Sequence, residues 1–204
     1  MLVHRVAWLM QMHEISPFSI MAVTFTNKAA REMQGRLETL TQRSARSMWV
    51  GTFHGLCHRF LRTHWAEANL AQHFQVLDSD DQNKIVKRII AELNLDDKKF
   101  PVRQAVGFIN NQKDEGIRAA HVQARGDYYH DRLVDIYALY EEQCEAKDLV
   151  DFGELLLRAH ETLRDNAELL AHYRQRFRHI LVDEFQDTNA VQYAWLRLLA
   201  GAET

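Results

Sequence analysis

Ile180-Leu181-Val182-Asp183-Glu184-Phe185-Gln186-Asp187-Thr188 is an apolar run that stops abruptly at two acids. The run has the length of a buried parallel strand, and open α/β sheets place their ligands beyond the C-terminal ends of such strands. Asp183 then sits at a strand tip, able to hold a hydrated Mg²⁺, and Glu184 beside it can take a proton from water. Half of a nucleotide-hydrolysing site is legible in these residues. The alternative is an acidic strand end or a helix-capping turn, since Asp187, Thr188 and Asn189 already supply caps.

The other half has its own signature. A phosphate-cradling loop needs Gly-x-x-x-x-Gly-Lys-Ser/Thr, so that backbone N–H groups and a lysine surround the phosphates. None of the eight glycines of this chain is followed by lysine. The sequence opens directly in a helix-like stretch, Leu2 to Met12, and the simplest expectation is a fragment that starts just after such a loop.

Outward from the acidic run, Ile20 to Phe25 reads as a strand after the break at Ser16-Pro17. Asn27 can cap a helix to about Thr41 with Met33, Leu37 and Leu40 on one face, and Met48 to Thr52 reads as a second strand. Strand, helix and strand in this spacing make a βαβ unit, which implies a parallel pair and a right-handed crossover. From Leu56 to Phe177 the pattern is almost wholly helical, with at most a short extended piece at Phe74 to Leu77. Ile85, Ile89, Ile90 and Leu93 mark one apolar face, and Val102, Ala105, Val106 and Ile109 another. Leu133, Ile136, Tyr137, Tyr140 and Cys144 line a third, and Asp151 with Glu154 reads as a capping box. Asn111 to Gly116 reads as a plain polar loop. Val191, Trp195, Leu198 and Leu199 mark a closing helix. The expected fold class is therefore α/β: a partial parallel sheet interrupted by a large all-helical insertion. The expected domains are 1–53 and 177–204 for the sheet and 54–176 for the insertion.

Composition sets limits. With 204 residues, 47% of them hydrophobic, the chain can bury a core, and two prolines leave little linker. A formal net charge of −3 gives no bulk basicity toward nucleic acid. Yet Lys28, Arg31, Arg36, Arg43, Arg46, Arg59 and Arg62 face only Glu32 and Glu38 across that stretch, a local basic field that a solvated helix face also explains. Two cysteines form no disulfide framework and no apolar run is long enough to span a bilayer, so a soluble, cytoplasmic protein without membrane contact is expected.

Two strand-to-helix turns carry candidate ligand contacts. Thr24, Phe25, Thr26, Asn27 and Lys28 combine hydroxyls, an aromatic and a cation at a helix N-terminus, a setting that attracts phosphates and can stack a base; ordinary capping and a core Phe25 are the alternative. Thr52, Phe53, His54 and Gly55, with Gly51 before them, suggest close backbone approach to a ligand, or merely a turn with positive φ. His54, Cys57 and His58 share helical spacing for metal ligands, but lack a second cluster to complete a closed site, and packing is the favoured reading.

Taken together, Ala22 to Ala30, Trp49 to Gly55, Leu149-Val150-Asp151-Phe152 and Val182 to Thr188 resemble the UvrD/Rep/PcrA family of superfamily 1 DNA helicases over essentially the whole chain. The resemblance implies a first RecA-like (P-loop NTPase type) motor domain with a helical insertion. It implies an ATP- and Mg²⁺-dependent 3′→5′ helicase of DNA repair and replication, which couples ATP hydrolysis to translocation on single-stranded DNA. Asp183 and Glu184 become the metal- and nucleotide-binding acids, Glu184 the base that activates water, and Gln186 the sensor of the γ-phosphate. Thr24 to Lys28 and Thr52 to Gly55 become contacts for single-stranded DNA, with Phe25 and His54 meeting bases or backbone, and the inserted helices meet single-strand/duplex junctions. Repair proteins are the expected protein partners. In the resemblance the phosphate loop precedes this segment, and a second motor domain with arginine fingers follows it. The chain alone is therefore expected to be inactive. The rival from another class is a non-enzymatic module that binds DNA or a protein.

Overall fold

The computed structural model describes residues 2–123 and 125–201; Met1 and Ala202 to Thr204, part of the expected motor segments, lie outside the described residues. Helices α1 (Leu2–Met12), α2 (Asn27–Thr41) and α3 (Phe53–Thr63) alternate with strands β1 (Ile20–Thr24) and β2 (Trp49–Thr52). Then come β3 (Gln75–Val76), α4 (Ser79–Glu92), α5 (Val102–Asp114), α6 (Tyr128–Glu145), β4 (Leu149–Val150) and α7 (Phe152–Asp165). The chain closes with α8 (Ala167–Arg176), β5 (His179–Val182) and α9 (Ala190–Ala200).

The molecule is α/β with a small parallel sheet in the order β2-β1-β5. The central strand β1 is buried along its whole length, because it has a neighbour on each side and helices on its faces. β5, expected to be a buried strand, is half-buried throughout because it lies at the edge of the described sheet. Val6 and Leu9 of α1 with Met33 and Leu37 of α2 pack against Ile20, Ala22 and Val50. Leu40 instead stands exposed at the end of its helix. Trp49 packs edge-on against Tyr173 and Phe177, with ring centroids 5.7 and 5.1 Å away.

Two compact units emerge. The sheet unit comprises the chain up to Thr63, Ala159–Thr188 and the chain from Gln192. The helical unit comprises His64–Arg158 with Asn189–Val191. Sequence put the breaks at 53/54 and 176/177; compactness puts them at 63/64 and 158/159, because the Phe60 and Tyr173 rings meet at 5.3 Å and so group α3 and α8 with the sheet.

The helical unit has its own core. Ile85, Val86, Ile89 and Ile90 of α4, Ala105 and Ile109 of α5, and Leu133, Ile136, Tyr137 and Tyr140 of α6 are buried together. Asp78 and Asp127 start α4 and α6 by accepting the backbone N–H groups of Asp81 and His130. The extended piece expected near Phe74 is the short β3, and it pairs in parallel with β4.

One segment differs sharply from its expected form. Only Glu115 and Gly116 of the expected loop Asn111 to Gly116 form a turn: α5 continues through Asp114, and Lys113 is only 2% exposed. Its ammonium donates to Asp151 at 2.7 Å and lies 3.1 Å from Glu154, while Arg118 holds Glu154 with two hydrogen bonds of 2.7 and 2.8 Å. Tyr140 donates a further 2.7 Å hydrogen bond to Asp151. Asp151 does cap α7 by accepting the Glu154 N–H at 2.7 Å. The expected capping box is nonetheless only half made, because the Glu154 carboxylate turns to Arg118, Lys113 and Arg158.

Candidate active site and nucleic-acid interface

Strand register brings the three sequence motifs to one edge of the sheet. Thr24 is level with Thr52, and Val23 with Val182, so Phe25, Phe53 and Asp183 all leave the same C-terminal edge. Asp183 is tied there by its own backbone, whose N–H donates to the Val23 carbonyl at 2.9 Å. The carboxylate is thus presented from the last hydrogen-bonded position beside β1.

Glu184 follows with φ of 51°, a left-handed conformation that is uncommon for a residue with a Cβ. That twist turns the chain into a short 3₁₀ helix, Phe185–Asp187, closed by the Asp187 N–H on the Glu184 carbonyl at 2.9 Å. Strain of this kind persists where the surroundings over-determine it, and it clusters at functional sites. The Glu184 carboxylate is exposed and accepts a short hydrogen bond from the Gln186 amide, so the two residues named together in sequence do meet. Thr188 turns its hydroxyl back to the Phe185 carbonyl at 2.9 Å instead of capping α9.

At the first turn the cap is Thr26 rather than Asn27. The Thr26 hydroxyl accepts the Ala29 N–H at 3.1 Å, and Asn27 is the first helical residue. Thr26, Asn27 and Lys28 are exposed at the N-terminus of α2, whereas Thr24 is buried at 3% exposure and serves the strand. Phe25 is half-buried, with its ring 5.3 Å from Phe53. Phe53 is 1% exposed and lies between Phe25 and Trp195, whose ring is 6.3 Å away. Its ring therefore offers no face to DNA; it is a support beneath Phe25.

At the second turn Thr52 is buried and accepts the Gly55 N–H at 3.1 Å, which starts α3 directly at the end of β2. Neither Gly51 nor Gly55 has a positive φ. Gly55 is small because an added Cβ would lie 3.1 Å from the Thr52 hydroxyl. Burial pushes the His54 imidazole below its ordinary value, so at neutral pH it acts as an uncharged hydrogen-bonding ring. Cys57 is fully buried and its thiol is pushed far up, while the His58 Nε2 accepts the Arg62 Nε–H at 3.1 Å. No cluster of three or more His, Cys, Asp or Glu suited to a metal exists among the described residues.

Mg²⁺ makes a different demand from zinc. It keeps most of its waters and is bound through one or two carboxylates together with substrate phosphates. An accessible strand-tip carboxylate with a second acid next to it fits that donor pattern. Sequence gave no warning of the buried Lys113 cluster or of the exposed Phe185–Tyr193 pair, whose rings lie 6.1 Å apart.

A sequence model of the UvrD/REP helicase N-terminal domain matches residues 1–204. The chain belongs to that family. It is 58% identical over 200 residues to DNA helicase II of Escherichia coli, an alignment that covers 98% of this chain and 28% of that protein. DNA helicase II of Haemophilus influenzae is 48% identical over 204 residues, again with 98% and 28% covered. The ATP-dependent DNA helicase PcrA of Staphylococcus aureus is 36% identical over 200 residues, covering 98% of this chain and 27% of PcrA. The chain thus spans little more than a quarter of the length of these relatives. No described helix is long and apolar enough to cross a membrane.

Proposed function

We propose that this chain forms the Mg²⁺-holding, water-activating and DNA-gripping part of the first, RecA-like motor domain of an ATP-dependent 3′→5′ DNA helicase. The observation that carries the reading is the common sheet edge: the acidic turn and the two DNA-facing turns leave adjacent parallel strands in register. Movement of one turn then reaches its neighbours through a single hydrogen-bonded strand pair. Motor segments 1–53 and 177–204 flank a helical insertion, 54–176, that meets the single-strand/duplex junction.

Asp183 would hold Mg²⁺, which supplies charge neutralisation to the phosphates when bound. Glu184 accepts the proton of the attacking water, and its accessible carboxylate at the turn suits that task. Gln186 senses whether that base is engaged, a role supported by its hydrogen bond to the Glu184 carboxylate. Phe25 supplies a stacking face backed by Phe53, and Thr26, Asn27, Lys28, His54 and Gly55 supply polar and backbone contacts to single-stranded DNA. Thr24 and Thr52 act from below as strand-end supports, since both are buried. Cytoplasmic location and repair proteins as partners accompany this reading.

The test is a transplant. Escherichia coli DNA helicase II whose matching segment is replaced by this chain should unwind a duplex with a 3′ single-stranded tail when given ATP. Unwinding of only the 5′-tailed duplex would refute the direction, and a folded hybrid that unwinds neither would refute the function.

A further inference from the structure

Trp49 begins β2, and its side chain is almost wholly buried at 3% exposure. Two guanidinium groups lie over its ring, Arg59 of α3 at 4.8 Å and Arg176, the last residue of α8, at 5.5 Å from the centroid. All three residues belong to the sheet unit. Arg59 donates from Nη1 to the Met48 carbonyl at 3.0 Å, and Arg176 also lies 5.5 Å from the Phe177 ring. Neither cation has a carboxylate partner among the described residues. The indole N–H of Trp49 is buried and has no acceptor either. An aromatic face attracts cations but carries no net charge, so the repulsion between two arginines on one ring stays unbalanced. Donors gathered without an acid make an anion site, and the planar fork of arginine matches a phosphate.

Position identifies the anion. α3 starts at the Thr52 to Gly55 turn, and Arg59 follows Gly55 by four residues. The two therefore share one side of the helix, about 6 Å apart along its axis. Gly55 and Arg59 are exposed, and Arg176 is half-buried. We propose that Arg59 and Arg176 form a phosphate-backbone site, along which single-stranded DNA held at Gly55 continues over α3 toward the start of β2. The assignment rests on the DNA-facing reading of the Thr52 to Gly55 turn. It adds contacts that read charge and no base, in contrast to the stacking face of Phe25. Trp49 is the platform on which both cations rest; its buried ring stacks no base. The Met48 carbonyl and the indole restrain Arg59 before DNA arrives, so little side-chain freedom is lost on binding.

The site is read by anisotropy titration of the 204-residue chain with an oligodeoxythymidylate at several salt concentrations. Each phosphate contact on a single strand adds about 0.7 to the slope of log affinity against log salt. Arg59→Gln with Arg176→Gln should flatten that slope by about 1.4, so that the loss of affinity between about 50 and 200 mM salt shrinks roughly sevenfold. Arg176→Gln alone leaves the Met48 hydrogen bond in place and should flatten it by about 0.7. Lysine at both positions keeps the charge and should keep the slope. Phe25→Ala should weaken binding and leave the slope as it was. A slope unchanged in the glutamine variants, with only the urea midpoint lowered, would reduce the arginines to a clamp on Trp49 and overturn the site. An unchanged slope with a weaker hold on poly-glutamate would give the site to an acidic protein and overturn the DNA assignment. A parent chain that binds no DNA would refute the DNA-facing turns themselves, and this site with them.

Discussion

The ammonium of Lys113 lies 2.7 Å from the Asp151 carboxylate, and both side chains are nearly inaccessible to water. Taking such charges out of water costs several kcal/mol per ion, and the cost is offset only when every partner is in place. Glu154, Arg118 and Tyr140 complete that set. Removing one member should therefore be far worse than its exposed counterpart at Lys84–Asp81 suggests. Lys113→Ala is expected to destabilise the chain by about 3–5 kcal/mol in urea unfolding. Lys84→Ala should cost less than about 1 kcal/mol.

The same cluster fixes the acid limit of the fold. Burial alone would raise the Glu154 carboxyl, but Lys113, Arg118 and Arg158 outweigh it and hold the group well below the usual carboxylate range. A depressed folded value means that the unfolded chain binds the proton first, so the stabilisation is present above about pH 4.3 and drains away as pH falls below it. His54 and His160 are also lowered by burial, and their contribution begins to be lost earlier, below about pH 6.5. Urea midpoints measured from pH 8 to pH 3 should show both declines. His54→Gln should soften the first, and a Glu154→Gln protein should lack part of the second.

Phe25 and Phe53 are neighbouring rings with opposite assignments. Phe25→Ala should weaken single-stranded DNA binding by about 1–3 kcal/mol, with little loss of stability. Phe53→Ala removes a ring packed between Phe25 and Trp195 and should destabilise by about 3–5 kcal/mol. Fluorescence titration with an oligonucleotide, paired with urea unfolding, separates the two. The affinity for single-stranded DNA should fall steeply with added salt, since phosphate contacts release counterions.

Hydrolysis needs phosphates held from several sides, and no glycine–lysine phosphate loop occurs in this sequence. The 204-residue chain by itself is expected to show no DNA-stimulated ATP turnover above a buffer blank in a phosphate-release assay. Turnover that the Glu184→Gln chain lacks would show that the site is complete without further segments.

Much of this architecture was legible because its signals are local. The abrupt end of Ile180 to Val182 at two acids marked a strand tip, and the βαβ spacing from Ile20 to Thr52 predicted the parallel pair that β1 and β2 form. The apolar faces of α4, α5 and α6 followed from helical period. Long-range facts were not legible. Nothing local distinguishes a lysine buried between two carboxylates from one in a solvated turn, so the stretch around Lys113 reads as a loop. Nor does periodicity show that β5 sits at the edge of the sheet, because its apolar residues satisfy a buried or a half-buried strand equally. Thr26 and Asn27 both have capping side chains, and only the backbone decides which one lies outside the helix.

The central claim is that Glu184, held in a left-handed turn beside Asp183, is the base that activates water for ATP hydrolysis. Its direct measure is the DNA-stimulated ATP turnover number of Escherichia coli DNA helicase II carrying this chain in place of its matching segment, compared with the same hybrid bearing Glu184→Gln. The account predicts a turnover lower by roughly 10²–10⁴ in the Gln form, with ATP still bound. Equal turnover in the two hybrids would contradict it.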